Sequence, residues 1–170
     1  MIPVKAAAPY PELKVEERNI HYANILTCDL ASATGEMTTI YQYLYQNWIL
    51  NKKFEEIAQT INRISEVEMH HLNMLGSLID MLGGNPKCEA IRGYKRFFWQ
   101  GSMVNYSREL PVLLKSNIYL EQTAVKEYTE QSSCIEDPYV SAVLARIAED
   151  EEIHYAAYQD FLAEYIKSTQ

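Results

Sequence analysis

The sequence predicts an all-α protein, an antiparallel four-helix bundle with one long crossover between its second and third helices. Three observations predict it. Apolar residues recur at three- and four-residue spacing through four separate stretches, as they do on the buried face of a helix. The joins between the first and second stretches and between the third and fourth are short, whereas residues 86–111 separate the two pairs, which is the layout of a bundle with a single crossover. Period-two alternation bounded by turns is absent, so little is expected as strand.

Residues 1–17 carry Pro3, Pro9 and Pro11 and read as an extended arm ahead of a bundle domain over 18–170. From about residue 19 to 52 there is no proline, and one continuous first helix is expected there. The second, over 54–82, stops at Gly83-Gly84-Asn85-Pro86. Residues 86–111, with Gly93, Gly101 and Pro111, read as a long connection with room for one short helix. Within it, Phe97-Phe98-Trp99 is expected in the core or at an interface. A third helix covers about 112–132, and Asp137-Pro138 opens a fourth, with Asp as the cap and Pro in the first turn. A chain of 170 residues, 48% of them hydrophobic, suits one domain with an ample core.

The seams of these helices hold the chemistry. On the second, Ile57, Ile61, Ile64, Glu68, His71, Leu75, Leu78 and Leu82 step by four and three. On the fourth, the same steps give Val140, Leu144, Ile147, Glu151, His154, Tyr158, Phe161 and Tyr165. Each seam is apolar except for a Glu-x-x-His pair at mid-length. The first helix places Ala33, Glu36, Ile40 and Tyr43 on one face, and the third places Leu114, Ile118, Glu121, Val125 and Tyr128. In both, a tyrosine follows the glutamate by seven residues, about two turns, so the two share a face. Glu36 precedes Glu68, and Glu121 precedes Glu151, by nearly the same interval, which suggests a pseudo-twofold site.

Burying an uncompensated carboxylate costs several kcal/mol, on the order of 3–5 when its partner is missing. Four glutamates on facing seams therefore need counter-charge. One Glu from each of two helices plus a Glu-x-x-His pair from each of the other two is the donor set of two-metal carboxylate sites in helical bundles. Glu36, Glu68, His71, Glu121, Glu151 and His154 are thus the candidate metal ligands. The alternative is a pair of internal Glu–His hydrogen bonds. Oxygen donors with only two imidazoles favour two ions of iron or manganese over copper or thiolate-bound zinc. Asp150 either holds the opposite histidine, His71, from behind or is a solvated surface residue. His70 and His21 read as surface or packing residues.

Bulk composition excludes other classes. A net charge of −8 without a basic tract argues against nucleic-acid binding. No window approaches the ~20 apolar residues of a membrane span, and no signal peptide is recognisable, so a cytoplasmic protein is expected. Cys28, Cys88 and Cys134 form no C-x-x-C pair and are expected as reduced thiols.

These residues resemble the ferritin-like dimetal carboxylate superfamily, on its rubrerythrin and manganese-catalase side. Ala33-Thr-Gly-Glu36 with Tyr43-Leu44-Tyr45-Gln46 resembles the first metal helix of manganese catalases and related spore-coat proteins. Glu68-Met-His-His71-Leu-Asn-Met-Leu75 resembles their second, and the segment from Leu144 to His154 resembles the last metal helix shared with rubrerythrins. The resemblance implies the six ligands above and a ferritin-like bundle. It places Tyr43 and Tyr128 beside the ligands and makes them, with Glu151, the candidate catalytic residues. Two departures stand out. Ala124 occupies the position of a glutamate usual in rubrerythrins, and their rubredoxin-like C-x-x-C pairs are missing.

The implied function is a dimetal oxidoreductase acting on hydrogen peroxide or dioxygen, catalase-like or, with a separate electron donor, peroxidase-like. The catalase version needs no relay cysteines. Iron oxidation and storage, or a structural coat component carrying a metal site, are the alternatives. A homo-oligomer is expected.

Overall fold

In the computed structural model, which describes residues 2–169, Asn19 starts the first helix. Its side chain accepts hydrogen bonds from the backbone N–H groups of His21 and Tyr22. Helix α1 runs Ile20–Ala31 and α2 runs Glu36–Leu50. The single helix expected over 19–52 is therefore broken at residues 32–35. The reason is local. Ser32 leaves helical geometry at φ −77°, ψ 178°, and Thr38 Oγ1 donates back to its carbonyl at 2.8 Å. Gly35 then passes so close to α1 that a Cβ there would sit 2.4 Å from the Asp29 carbonyl oxygen. Both halves still face the same neighbouring helix, α3 at Glu55–Met81, which is why the apolar period runs through the break. The break makes Glu36 the first residue of α2, where the positive end of the helix dipole favours a carboxylate.

Helix α3 ends at the Gly-Gly pair. Gly83 has φ +90°, its N–H reaches the Asp80 carbonyl at 2.9 Å, and the Gly84 N–H reaches that of Ile79 at 2.8 Å, the two bonds of a Schellman motif. The crossover then differs from expectation. It contains a β-hairpin, β1 at Glu89–Arg92 paired antiparallel with β2 at Lys95–Phe98, followed by a 3₁₀ turn at Gly101–Met103. Gly93, at φ +63°, takes the first position of the two-residue turn. No alternation betrayed these strands because β2 is exposed throughout and β1 is buried only at its first two residues. The hairpin is seated on α1 instead: the Ile91 N–H donates to Thr27 Oγ1 at 2.9 Å. Trp99 is half-buried and donates from Nε1 to Thr38 Oγ1 at 3.0 Å, whereas Phe97 and Phe98 are exposed.

Helices α4 (Leu110–Cys134) and α5 (Pro138–Ser168) complete the bundle. Asp137 caps α5, accepting from the N–H groups of Tyr139 and Val140 at 3.0 and 3.2 Å. The antiparallel pairs α2–α3 and α4–α5 pack together into the expected four-helix bundle with one crossover. Its apolar core is in two parts. One gathers Leu26, Leu75, Leu78, Val143 and Ile147. The other gathers Tyr43, Ile61, Ile64, Leu114 and Phe161. On α3 and α5 the charged residues at 68–71 and 150–154 lie between these two parts.

Residues 2–19 have no regular secondary structure and lie across α3 and α5. Arg63 donates to the Ile2 carbonyl at 3.0 Å. Arg146 donates to those of Ala6 and Ala8 at 3.1 and 2.9 Å and stacks on the Tyr10 ring.

Candidate metal centre

The helical register brings all six expected side chains to one place at the middle of the bundle. Glu36 comes from α2, Glu68 and His71 from α3, Glu121 from α4, and Glu151 and His154 from α5. None is more than 3% exposed. His71 Nδ1 lies 2.9 Å from Glu68 Oε2, 3.1 Å from Glu151 Oε1 and 3.8 Å from Glu36 Oε1. His154 Nδ1 lies 3.0 Å from Glu68 Oε1, 3.0 Å from Glu151 Oε2 and 3.7 Å from Glu121 Oε2. Glu68 and Glu151 thus turn one oxygen to each imidazole, whereas Glu36 and Glu121 each serve one. The result is two overlapping cradles. One donor atom each from Glu36, Glu68, His71 and Glu151 lie within 4.8 Å of one another, as do donors from Glu68, Glu121, Glu151 and His154.

The electrostatics of this cluster are severe. Burial, reinforced by Glu68 and Glu151, pushes the carboxyls of Glu36 and Glu121 well above the usual range. Burial opposes charging of the imidazoles, but the surrounding carboxylates outweigh it and raise both. Burial would also raise Glu151, yet hydrogen bonds from His154 and His71 hold it below its ordinary value. Even so, satisfaction is incomplete. Glu121 Oε2 has no hydrogen-bond partner, and neither has Glu68 Oε1, whose 3.0 Å approach to His154 Nδ1 is out of line for a hydrogen bond. Each Nδ1 holds one proton at most and faces three carboxylates.

A neighbouring polar cluster shows the contrast. Asn117 on α4 accepts from Gln42 and Gln46 and donates back to Gln46, at 2.7–2.9 Å, and needs nothing further. The Glu–His cluster has surplus anionic oxygens aimed at two points, which fits a pair of cations.

A second ring of groups holds these six. The Tyr43 hydroxyl donates to Glu121 Oε1, and that of Tyr128 donates to Glu36 Oε1. The pairs are crossed: each tyrosine serves the glutamate of the other helix, because α2 and α4 run antiparallel with both pairs in one register. Behind the imidazoles, His71 Nε2 meets Asp150 Oδ2 at 3.1 Å and His154 Nε2 meets the Val4 carbonyl at 2.8 Å. Asp150 is fully buried rather than solvated. Burial would raise its carboxyl, but the bonds from His71, Tyr10, the Ala6 N–H and Arg146 together outweigh burial and hold it at about 2. His70 is exposed beside the Tyr10 ring, and His21 is exposed on α1.

The rubrerythrin family profile matches residues 30–162, from the end of α1 through most of α5. The chain belongs to the rubrerythrin family. It is 24% identical over 169 residues to a probable manganese catalase of Clostridium acetobutylicum, a match covering 89% of this chain and 74% of that one. Among solved structures, it is similar to KatB, a manganese catalase from Anabaena, with TM-score 0.82 and 22% identity, covering 94% of this chain and 79% of that one. The bacterioferritin of Desulfovibrio desulfuricans, a protein with a diiron site, matches with TM-score 0.73 and 21% identity over 86% of this chain and 81% of its own. These likenesses show the ferritin-like fold.

Within this rubrerythrin-family bundle, a cavity of about 10 Å³ opens beside the centre. Glu36, Glu68, Glu121, Glu151 and Tyr128 line it, together with Asp29, Thr34, Thr39, Ala124 and Glu127. Asp29 and Glu127 also line a surface pocket of about 420 Å³ with Asn24, Cys28 and Arg92. These two acids therefore border both cavities. Asp29 Oδ1 accepts from Gln131 at 2.8 Å, Oδ2 is buried without a partner, and burial pushes its carboxyl up to about 7.

Sequence reasoning missed Asp29, Val4, Tyr10 and Arg146. One of them left a signal: Arg146 precedes Asp150 by four, the spacing of a shared helical face, whereas the break at 32–35 separates Asp29 from Glu36. Val4 left none, because it acts through a backbone carbonyl.

Proposed function

We propose that this rubrerythrin-family chain is an oxidoreductase that consumes hydrogen peroxide at two ions of iron or manganese. Glu36, Glu68, His71, Glu121, Glu151 and His154 would hold the ions. The observation that carries the reading is the pair of buried four-residue cradles sharing Glu68 and Glu151. Such an ion pair supplies Lewis acidity and exchange of two electrons with peroxide.

The chain's own residues then have distinct tasks. Tyr43 and Tyr128 orient the two carboxylates that each serve one cradle. Their hydroxyls are held well above the ordinary phenol range, chiefly by burial, so they remain donors. Glu151, whose two oxygens face both imidazoles, would move protons for bound reactants. The cavity of about 10 Å³ is near the size of a single water-sized probe, so the centre favours a very small substrate such as peroxide or dioxygen. The reading takes the protein to act in the cytoplasm, where its free thiols stay reduced. It also takes it to be a homo-oligomer, a role that exposed Trp48 and Phe98 suit.

Peroxide consumption by protein loaded with manganese or iron tests this. Oxygen released at about half the peroxide consumed, without reductant, marks the catalase version. Consumption only with an added electron donor marks a peroxidase. Glu68→Ala and His71→Ala are expected to abolish either activity. No consumption by loaded wild type under both conditions refutes the proposal and favours iron oxidation and storage or a structural coat component.

A further inference from the structure

The two imidazoles of the centre are alike on the inside and different on the outside. Each turns Nδ1 to the carboxylates. Behind them, however, the near-twofold arrangement fails. Asp150 immediately precedes Glu151 and supports His71 from the opposite helix. The matching residue before Glu68 is Val67, whose side chain has no acceptor to offer His154. The acceptor comes instead from the N-terminal arm, as the Val4 carbonyl at 2.8 Å. A carbonyl only accepts, so His154 Nε2 must carry the proton. A neutral His154 then presents a bare Nδ1 lone pair to the centre, the form that ligates a metal ion.

The arm also reaches the other imidazole, at one remove. The Ala6 N–H donates to Asp150 Oδ1 at 2.7 Å and Tyr10 to Oδ2 at 2.6 Å. Arg146 ties the two systems together, donating to Asp150 Oδ1 at 2.6 Å and to the carbonyls of Ala6 and Ala8. Asp150 therefore keeps a partner within α5 if the arm is lost, whereas Val4 provides the one hydrogen bond His154 makes through Nε2. Pro3, Pro9 and Pro11 restrict the free arm and lower the entropy lost on docking.

We propose that residues 2–10 are a positioning strap for the metal centre, whose Val4 carbonyl fixes the ligating tautomer of His154, so that the ion in the Glu121–His154 cradle depends on the arm more than its neighbour does. The proposal rests on the dimetal reading above. Val4, Ala6 and Tyr10 touch no reacting atom and act through the histidines. Loss of an outer hydrogen bond of this kind weakens metal binding by about 10–100-fold.

The test is ion retention by the manganese-loaded chain against graded chelator, with metal per chain measured by mass spectrometry and helicity by circular dichroism. Wild type is expected to keep two ions to high chelator. A variant whose chain begins at Lys5, released from an N-terminal fusion so that no residue occupies position 4, is expected to lose one ion at about 10–100-fold lower chelator while keeping the other and its helicity. Tyr10→Phe leaves the Val4 carbonyl in place and is expected to keep the Glu121–His154 ion at wild-type affinity, which separates loss of that carbonyl from general loosening of the arm. If the truncated chain unfolds, a full-length chain with the Val4–Lys5 peptide bond replaced by an ester, which weakens the Val4 carbonyl as an acceptor, is read instead. It must release one ion selectively, and Ala6→Pro, which removes the donor to Asp150, must spare that same ion. Retention of both ions by a folded truncated chain overturns the strap, as does simultaneous loss of both. A wild type that binds no pair of ions instead overturns the dimetal reading itself.

Discussion

Replacing Asp29 with asparagine is expected to stabilise the protein at neutral and alkaline pH and to change little near pH 4. Asp29 is buried on α1, with one oxygen bonded to Gln131 and the other unpartnered. Its carboxyl is pushed from 3.8 to about 7, first by burial and then by Glu127, against the Gln131 hydrogen bond. The folded chain therefore keeps a proton that the unfolded chain releases above 3.8. Stability from this group is whole below about 3.8 and is lost as pH rises toward 7. At 1.36 kcal/mol per unit, the loss reaches about 4 kcal/mol by pH 8 and about half that near pH 5.5. Asparagine keeps an oxygen for Gln131 and never ionises, so the variant escapes the loss. Urea unfolding of both proteins, at equal metal content and at pH 4, 5.5 and 8, measures the difference. The other carboxylates titrate alike in both and cancel. The gap in unfolding free energy is expected to grow with pH, to an upper limit on the order of 4 kcal/mol at pH 8. A gap that does not change with pH, or a variant less stable throughout, would refute the argument that Asp29 is a desolvated acid.

Two further substitutions probe the frame of the centre. Gly35→Ala places a Cβ 2.4 Å from one backbone carbonyl oxygen and 2.8 Å from another, so the α1–α2 break must move and carry Glu36 with it. A loss on the order of 1–3 kcal/mol is expected in denaturant unfolding, with weaker retention of the ion on the Glu36 side; unchanged stability would show that the break is not rigid. Tyr128→Phe strips the hydroxyl from Glu36 Oε1 and is expected to cost about 1–3 kcal/mol. A difference well below that range in urea unfolding would mean that Glu36 finds another donor.

What the sequence determined by itself is whatever the helical period carries. Glu68, His71, Glu151 and His154 share faces with apolar neighbours because spacing along one helix is a local property. The Asp137-Pro138 start and the Gly83-Gly84 stop were legible for the same reason. Tertiary structure decided what crosses between elements. The period ran unbroken through residues 32–35 because α1 and α2 face the same helix, so only close packing against α1 revealed the break at Gly35. The hairpin at 89–98 is held by α1 and not by its own alternation. Tyr43 and Tyr128 were placed on the right faces, but their partners are the glutamates of the opposite helix, since that pairing depends on the offset of two antiparallel helices. The support of His154 comes from the Val4 carbonyl. Every residue carries that group, so no residue type could have pointed to it, and only the path of the arm across the bundle brings it to the imidazole.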